Sequence, residues 1–277
     1  MPSPWPAALT IAGSDSGGGA GIQADLRTFA FHQIHGTSAL TCVTAQNTLG
    51  VTRVDGLPPE AVIAQLEAIT SDIEIQGIKT GMLLNQGIIQ AVAAALRSLP
   101  QPAPVVVDPV MVSRTGAQLI DDGAIETLTQ DLIPQAHILT PNRYEAQLLS
   151  GLGITTLATM EAAARRIHQL GCAAVLVKGG GMANELRGTD VWFDGHEILV
   201  LTTETVDTIH THGTGCTLSA AIAANLALGK DSLTAVRDAK IYVTSALKHA
   251  LAIGRGHGPV GHFFPLLTEA QFPTRRE

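Results

Sequence analysis

Ala8-Leu9-Thr10-Ile11-Ala12-Gly13-Ser14-Asp15-Ser16-Gly17-Gly18-Gly19-Ala20-Gly21-Ile22-Gln23-Ala24-Asp25 passes from an apolar run through a glycine cluster into a helical pattern. Residues 8–12 read as a strand and residues 21–33 as a helix, with the glycines as the turn between them. In an open parallel sheet ligands collect at the carboxyl ends of strands, so this loop lies where a ligand would sit. Glycine lets backbone approach a ligand closely and adopt positive φ. The stretch matches neither the phosphate loop ending in Gly-Lys-Ser/Thr nor the dinucleotide fingerprint in its usual register. A plain surface turn is the competing reading.

Working outward, the same alternation repeats along the chain. Residues 39–44, 75–79, 105–108, 137–140 and 173–178 read as further strands, and several lack the alternation of a half-wet strand. Residues 59–71, 87–99, 125–133 and 160–170 carry helical spacing between them. Residues 191–193 and 198–201, joined through Asp194-Gly195, read as an antiparallel hairpin. Helices over 214–228 and 233–253 follow. The pattern predicts one α/β domain over residues 1–277, a mostly parallel sheet with helices on both faces.

Composition narrows the function. Charged residues are 15% of the chain against a typical quarter, and hydrophobic residues are 45%, so a folded core is expected. A net charge of −7 argues against a nucleic-acid or anionic-membrane binder. Cys42, Cys172 and Cys216 make no disulfide framework and suit a reducing compartment. No stretch reaches a membrane span, and Met1-Pro2-Ser3-Pro4 does not open a secretory signal. The expectation is a soluble cytoplasmic protein with a frayed tail at 274–277.

Thr211-His212-Gly213-Thr214-Gly215-Cys216-Thr217-Leu218-Ser219 carries the strongest chemical signal. Gly-Thr-Gly before a helix exposes backbone N–H groups at the positive end of the dipole, which makes an anion site able to hold a phosphoryl group. Cys216 falls in the first turn, where its pKa is expected to drop below the free value. A turn capped by Thr214 with an inert Cys is the plainer alternative. Zinc ligation by His210, His212 and Cys216, or a Cys216/His212 nucleophile and base, are two others.

Weaker signals converge on the same chemistry. In Thr140-Pro141-Asn142-Arg143-Tyr144-Glu145, Asn142 and Glu145 lie three apart on one helical face and suit a hydrated Mg²⁺ beside ATP phosphates. They equally suit a helix cap. Asp108 ends a strand, either as a carboxylate that acts on a metal through its bound waters or as a mere polar terminus. Lys178, before Gly179-Gly180-Gly181, suits phosphate contact or a solvated turn. Gln46 can donate and accept at once toward a flat heterocycle, and Met82 can wall an apolar pocket.

Taken in order, Gly13-Ser14-Asp15-Ser16, Gly18-Gly19-Ala20-Gly21-Ile22-Gln23-Ala24-Asp25, Val43-Thr44-Ala45-Gln46-Asn47-Thr48, Val107-Asp108-Pro109-Val110-Met111, Leu139-Thr140-Pro141-Asn142, Lys178-Gly179-Gly180, 211–219 and Gly256-His257-Gly258-Pro259-Val260 resemble the hydroxymethylpyrimidine/phosphomethylpyrimidine kinases of thiamine biosynthesis. The resemblance implies a ribokinase-like three-layer α/β/α sandwich, usually a homodimer. It implies ATP with Mg²⁺ and two successive phosphorylations of 4-amino-5-hydroxymethyl-2-methylpyrimidine. It places Gly13, Asp25, Gln46, Met82 and Val110 at the pyrimidine, with Asp25 near its polar edge. Lys178, Asn142, Thr211 and Gly213 fall to ATP, and Glu145 and Asp108 to water-mediated Mg²⁺. Gly213, Thr214 and Gly215 stabilise the transferring group, and Cys216 is the base where most sugar kinases of the superfamily carry Asp. Gly17, Arg143-Tyr144, Ser113-Arg114-Thr115-Gly116 and Gly261 depart from the family pattern. A pyridoxal kinase of the same superfamily, a non-catalytic pyrimidine-binding protein and a cysteine hydrolase are the alternatives.

Overall fold

The computed structural model describes residues 5–111, 120–182 and 184–267. Its strands are β1 (Ala7–Asp15), β2 (His35–Asn47), β3 (Gly50–Gly56), β4 (Gly77–Thr80), β5 (Val105–Val107), β6 (Ile138–Leu139), β7 (Val175–Val177), β8 (Asp190–Phe193) and β9 (Ile198–Leu201). The helices are α1 (Gly21–Phe31), α2 (Pro59–Thr70), α3 (Gln86–Arg97), α4 (Asp122–Thr127), α5 (Arg143–Ser150), α6 (Leu157–His168), α7 (Thr214–Ala227) and α8 (Ser232–Lys248).

Alternation along the short buried strands sorts the core into two layers. Leu9, Ile11, Val105, Val107, Val175 and Val177 face α2 to α6, while Ala8, Val106 and Leu176 face α1, α7 and α8. A strand covered on both faces must be apolar at successive positions, which is why these segments read as unbroken runs. The nine strands form one sheet in the order β3-β2-β1-β4-β5-β6-β7-β8-β9, parallel from β2 to β7 and antiparallel at both ends. Strand order reverses between β1 and β4. The crevice beyond their carboxyl ends is therefore the topological switch point, where ligands bind in such sheets.

Three expectations need correction. The strand at 39–44 is the centre of a longer β2, and the turn after it returns as β3, which the sequence reading leaves out. All seven residues of β3 are exposed, so no buried face marks it as a strand. The helix expected over 125–133 begins at Asp122, capped by Asp121. It then widens into a π turn at Leu128–Leu132 and closes as a 3₁₀ turn at Ile133–Gln135. Pro134 has no N–H to continue an α-helix, and its ring crowds the preceding turn. The last helix stops at Lys248, not at 253. Met1–Pro4, Ser113-Arg114-Thr115-Gly116 and 274–277 lie outside the described residues. No helix among the described residues is long and apolar enough to cross a membrane.

Gly77 opens β4 against α7, where a Cβ would stand 2.6 Å from the Ala223 carbonyl oxygen and 3.0 Å from the Ala227 Cβ. Gly77→Ala is expected to cost about 1–3 kcal/mol through overpacking, read as a lower urea midpoint. An unchanged midpoint would mean that α7 is free to move off the sheet.

Candidate active site

The N-terminus of α7 forms the floor of the crevice. Gly213 is its N-cap at φ 80°, and no side chain among the described residues caps the helix. Thr214 does not take the capping role considered for it, because its Oγ1 donates to the Thr211 carbonyl at 2.7 Å. The first-turn N–H groups that a capping side chain would occupy are thus left for a ligand at the positive end of the dipole. A Cβ on Gly215 would point at the Lys178 Nζ, 3.5 Å away, and at the Asp108 Oδ2, 3.8 Å away. The absent side chain leaves room for a group between the turn and that ion pair.

Lys178 follows β7 and Asp108 follows β5, so parallel neighbours bring them together at 2.8 Å. Burial works against the Lys178 charge, but Asp108 and Glu145 outweigh it and hold the ammonium above its ordinary pKa. Ser219 Oγ donates to Asp108 Oδ2 at 3.3 Å. The helix-cap reading of Asn142 and Glu145 is realised in full. Asn142 Oδ1 accepts from the Tyr144 and Glu145 N–H groups, and Glu145 Oε2 accepts from the Asn142 N–H. Glu145 Oε1 accepts from the Met111 N–H at 3.2 Å. Burial pushes this carboxyl up to about 7 against the pull of Lys178. With both Glu145 oxygens and Asp108 Oδ1 engaged, this donor set fits a hydrated Mg²⁺ held through waters rather than a directly ligated one.

On the other side of the turn, Asp15 organises the glycine loop. Its carboxylate accepts N–H groups from Gly17, Gly19 and Ala20, and Oδ2 also meets His212 Nε2 at 2.8 Å. Burial alone would raise the Asp15 carboxyl, but His212 and the Ala20 and Gly17 N–H groups outweigh it and hold it below its ordinary value. Gln46 Nε2 lies 3.3 Å from His212 Nε2, and its Oε1 accepts from Thr44 Oγ1. His212 thus joins Gln46 to the loop that follows β1. Asp15 has no assigned role in the sequence reading, and His212 enters it only as a zinc ligand or as the base of a Cys216 nucleophile. The signal for Asp15 was its place before the glycines, where Asp commonly folds back on the next N–H groups.

The remaining candidates are placed less simply. Met82 and Val110 are half-buried, and Val110 sits at φ 35°, a strained value for a β-branched residue. Gly13 is buried, and Cys42 Sγ fills the space a side chain would need, 2.6 Å from its Cβ position. Asp25 is fully buried, and Lys79 and Thr10 hold its Oδ2 at 2.8 and 2.6 Å. The expected drop in the Cys216 pKa is also corrected. Loss of solvent around the half-buried thiol pushes it up, and Lys79 offsets this only in part. Zinc ligation finds no support, since no group of three or more potential ligands forms among the described residues. His210 Nδ1 instead accepts from the Gly258 N–H.

The sequence profile of phosphomethylpyrimidine kinase matches residues 15–261. This chain belongs to the phosphomethylpyrimidine kinase family. It is 61% identical over 261 residues to the hydroxymethylpyrimidine/phosphomethylpyrimidine kinase of Synechococcus elongatus, covering 94% of this chain and 98% of that one. Among solved structures, a Clostridium difficile phosphomethylpyrimidine kinase is 41% identical, with a TM-score of 0.79 over 88% of this chain and 100% of that one. An ADP complex of Bacillus subtilis pyridoxal kinase is 39% identical, with a TM-score of 0.88 over 95% of this chain and 100% of that one. The fold of these kinases is the ribokinase-like sandwich described above.

Because the folded Asp15 carboxyl lies below its ordinary value, its contribution to stability is complete above the unfolded pKa and is lost as pH falls through the folded one. The stability difference between the parent and Asp15→Asn should therefore stay flat above about pH 5 and shrink below about pH 4. Urea midpoints measured across that range test this, and a difference that grows toward low pH would contradict it.

Proposed function

We propose that this kinase transfers the γ-phosphoryl group of ATP to 4-amino-5-hydroxymethyl-2-methylpyrimidine and then to the resulting monophosphate. The observation that carries this reading is the uncapped Gly213-Thr214-Gly215-Cys216 turn, with Lys178 and Asp108 on one side and Gln46 on the other. Phosphoryl transfer needs positioning and charge stabilisation more than covalent chemistry, and this turn supplies fixed N–H donors where the transferring group would pass.

In this reading Gln46 fixes the ring by donating and accepting at its edge, while Met82 and Val110 wall the pocket. Lys178 meets the ATP phosphates beside Asn142, Thr211 and Gly213. Asp108 and Glu145 would hold Mg²⁺ through waters, and the ion would neutralise phosphate charge. Cys216 accepts the substrate's hydroxyl proton. Three free cysteines suit a reducing, cytoplasmic setting. A homodimer would cover the edge hairpin of β2 and β3, where Val43, Leu49, Val51 and Val54 are exposed. Light scattering at twice the chain mass supports that assembly, and a monomer at micromolar concentration contradicts it.

With ATP and Mg²⁺, the expected products are the mono- and diphosphate of the pyrimidine, resolved by mass, with little product from pyridoxal offered separately. Phosphate on pyridoxal alone would overturn the substrate while keeping the mechanism. Cys216→Ser should lower turnover on the hydroxyl acceptor by about 10²–10⁴-fold. A loss below about tenfold would make Cys216 a pocket residue rather than the base.

A further inference from the structure

Lys79 has no part in the reading above, yet it is a wholly buried charge in the middle of the sheet. Its Nζ donates to Asp25 Oδ2 at 2.8 Å, and the same oxygen accepts from Thr10 Oγ1. Asp25 Oδ1 is also buried and has no hydrogen-bond partner among the described residues. Replacing a buried ion pair with apolar side chains is often neutral or stabilising, so packing does not explain why this one is present.

Its location supplies a reason. Gly81 has no side chain where a Cβ would stand 2.7 Å from the Lys79 Nζ, which leaves the ammonium room beneath the crevice. Gly77, two residues before Lys79 on the same face of β4, packs against Ala223 and Ala227 of α7, so Lys79 lies under that helix toward the turn that carries Cys216. Ammonium and carboxylate thus lie buried beneath the anion turn that carries the half-buried thiol.

We propose that Lys79 is a positioning residue for transfer to the hydroxyl acceptor, its ammonium, anchored on Asp25, serving as the counter-charge of a Cys216 thiolate. The inference rests on the reading of Cys216 as the base. The charges facing that thiol are Lys79 from β4, Asp25 from α1, Asp108 from the end of β5 and Lys178 from the end of β7. Burial opposes ionisation of the thiol most strongly, and Lys79 is the largest influence acting the other way.

In the first step the hydroxyl oxygen's electron pair forms the new O–P bond and the bridging P–O bond breaks with its pair leaving on ADP. The hydroxyl proton passes to the Cys216 thiolate, and the thiol returns that proton to water after product release. In the second step the acceptor is a phosphate monoester, largely ionised near neutral pH, and it needs no base. A residue that only sustains the thiolate therefore matters for one step and not for the other. A residue that only holds the fold matters equally for both.

Lys79→Met alone would strand Asp25 as an unpaired buried charge, so the test uses K79M/D25N, with Lys79→Arg as the charge-keeping control. Iodoacetamide labelling of the Cys216 peptide, followed by mass against pH, should move up by about one pH unit or more in the double variant. At pH 7.5 its kcat on the hydroxymethylpyrimidine should fall about tenfold or more and recover as pH rises. Any loss from the place of Asp25 at the pyrimidine is shared by both acceptors, so kcat on the monophosphate should fall at least about tenfold less than on the hydroxymethylpyrimidine, and Lys79→Arg should keep both rates near the parent. Equal losses on the two acceptors, or an unmoved labelling profile, would overturn the proposal. A parent enzyme that phosphorylates neither acceptor would instead overturn the functional reading beneath it.

Discussion

The backbone of Gly213 rests directly on the backbone of Gly19, so close that a Cβ on Gly213 would lie 1.8 Å from the Gly19 carbonyl oxygen. This contact joins the loop after the first strand to the turn that opens α7, nearly two hundred residues later. It forces glycine at Gly213 twice over, by the close approach and by a φ of 80°. It also sets how the Gln46 side of the crevice faces the Lys178 side. Asp15 gathers the glycine-loop N–H groups and meets His212, the residue just before Gly213. In the proposed reaction a one-ångström shift at this seam would separate Gln46 from the anion turn, and phosphoryl transfer is sensitive to displacement on that scale.

Much of the fold was legible because two-sided burial leaves a strong imprint on short strands. Val105-Val106-Val107 sends outer and middle side chains to opposite helix layers, and all three must be apolar. The edge hairpin was half legible. β2 carries buried positions that announce it, while β3 is exposed along its whole length and is held by its pairing to β2 rather than by a core face. The broken helix after Asp122 shows a different failure. Apolar spacing continued past Thr127, but Pro134 governs how that segment can close.

At the site, glycines and strand-end polar residues were legible because a turn or a sheet edge demands those residue types. Lys79 and Asp25 were less so. A lysine at the end of an apolar strand looks like an ordinary exit into solvent, and only the cover of α1 and α7 makes it a buried charge in need of a partner. The helix-cap and metal readings of Asn142 and Glu145 looked like rivals along the sequence. In three dimensions the capping box fixes the carboxylate, and burial beside Lys178 and Asp108 then gives that fixed group an electrostatic role.

Lysine–carboxylate pairs recur around the crevice, and each ties a loop or a residue of the site to the scaffold. Lys240 on α8 holds Asp190 at 2.6 Å, and Asp190 Oδ1 in turn accepts the Gly179 N–H beside Lys178. Lys178 and Asp108 satisfy each other beside the turn that opens α7. In the proposed reaction ATP would offer Lys178 a phosphate and leave Asp108 facing the hydrated cation, so the pair keeps each partner compensated until the ligand arrives. A lone lysine or aspartate in either place would be desolvated without compensation in the empty enzyme, at several kcal/mol in order of magnitude. Pairing therefore lets a chain of net charge −7 keep a cationic group ready for a polyanionic substrate without destabilising the resting fold.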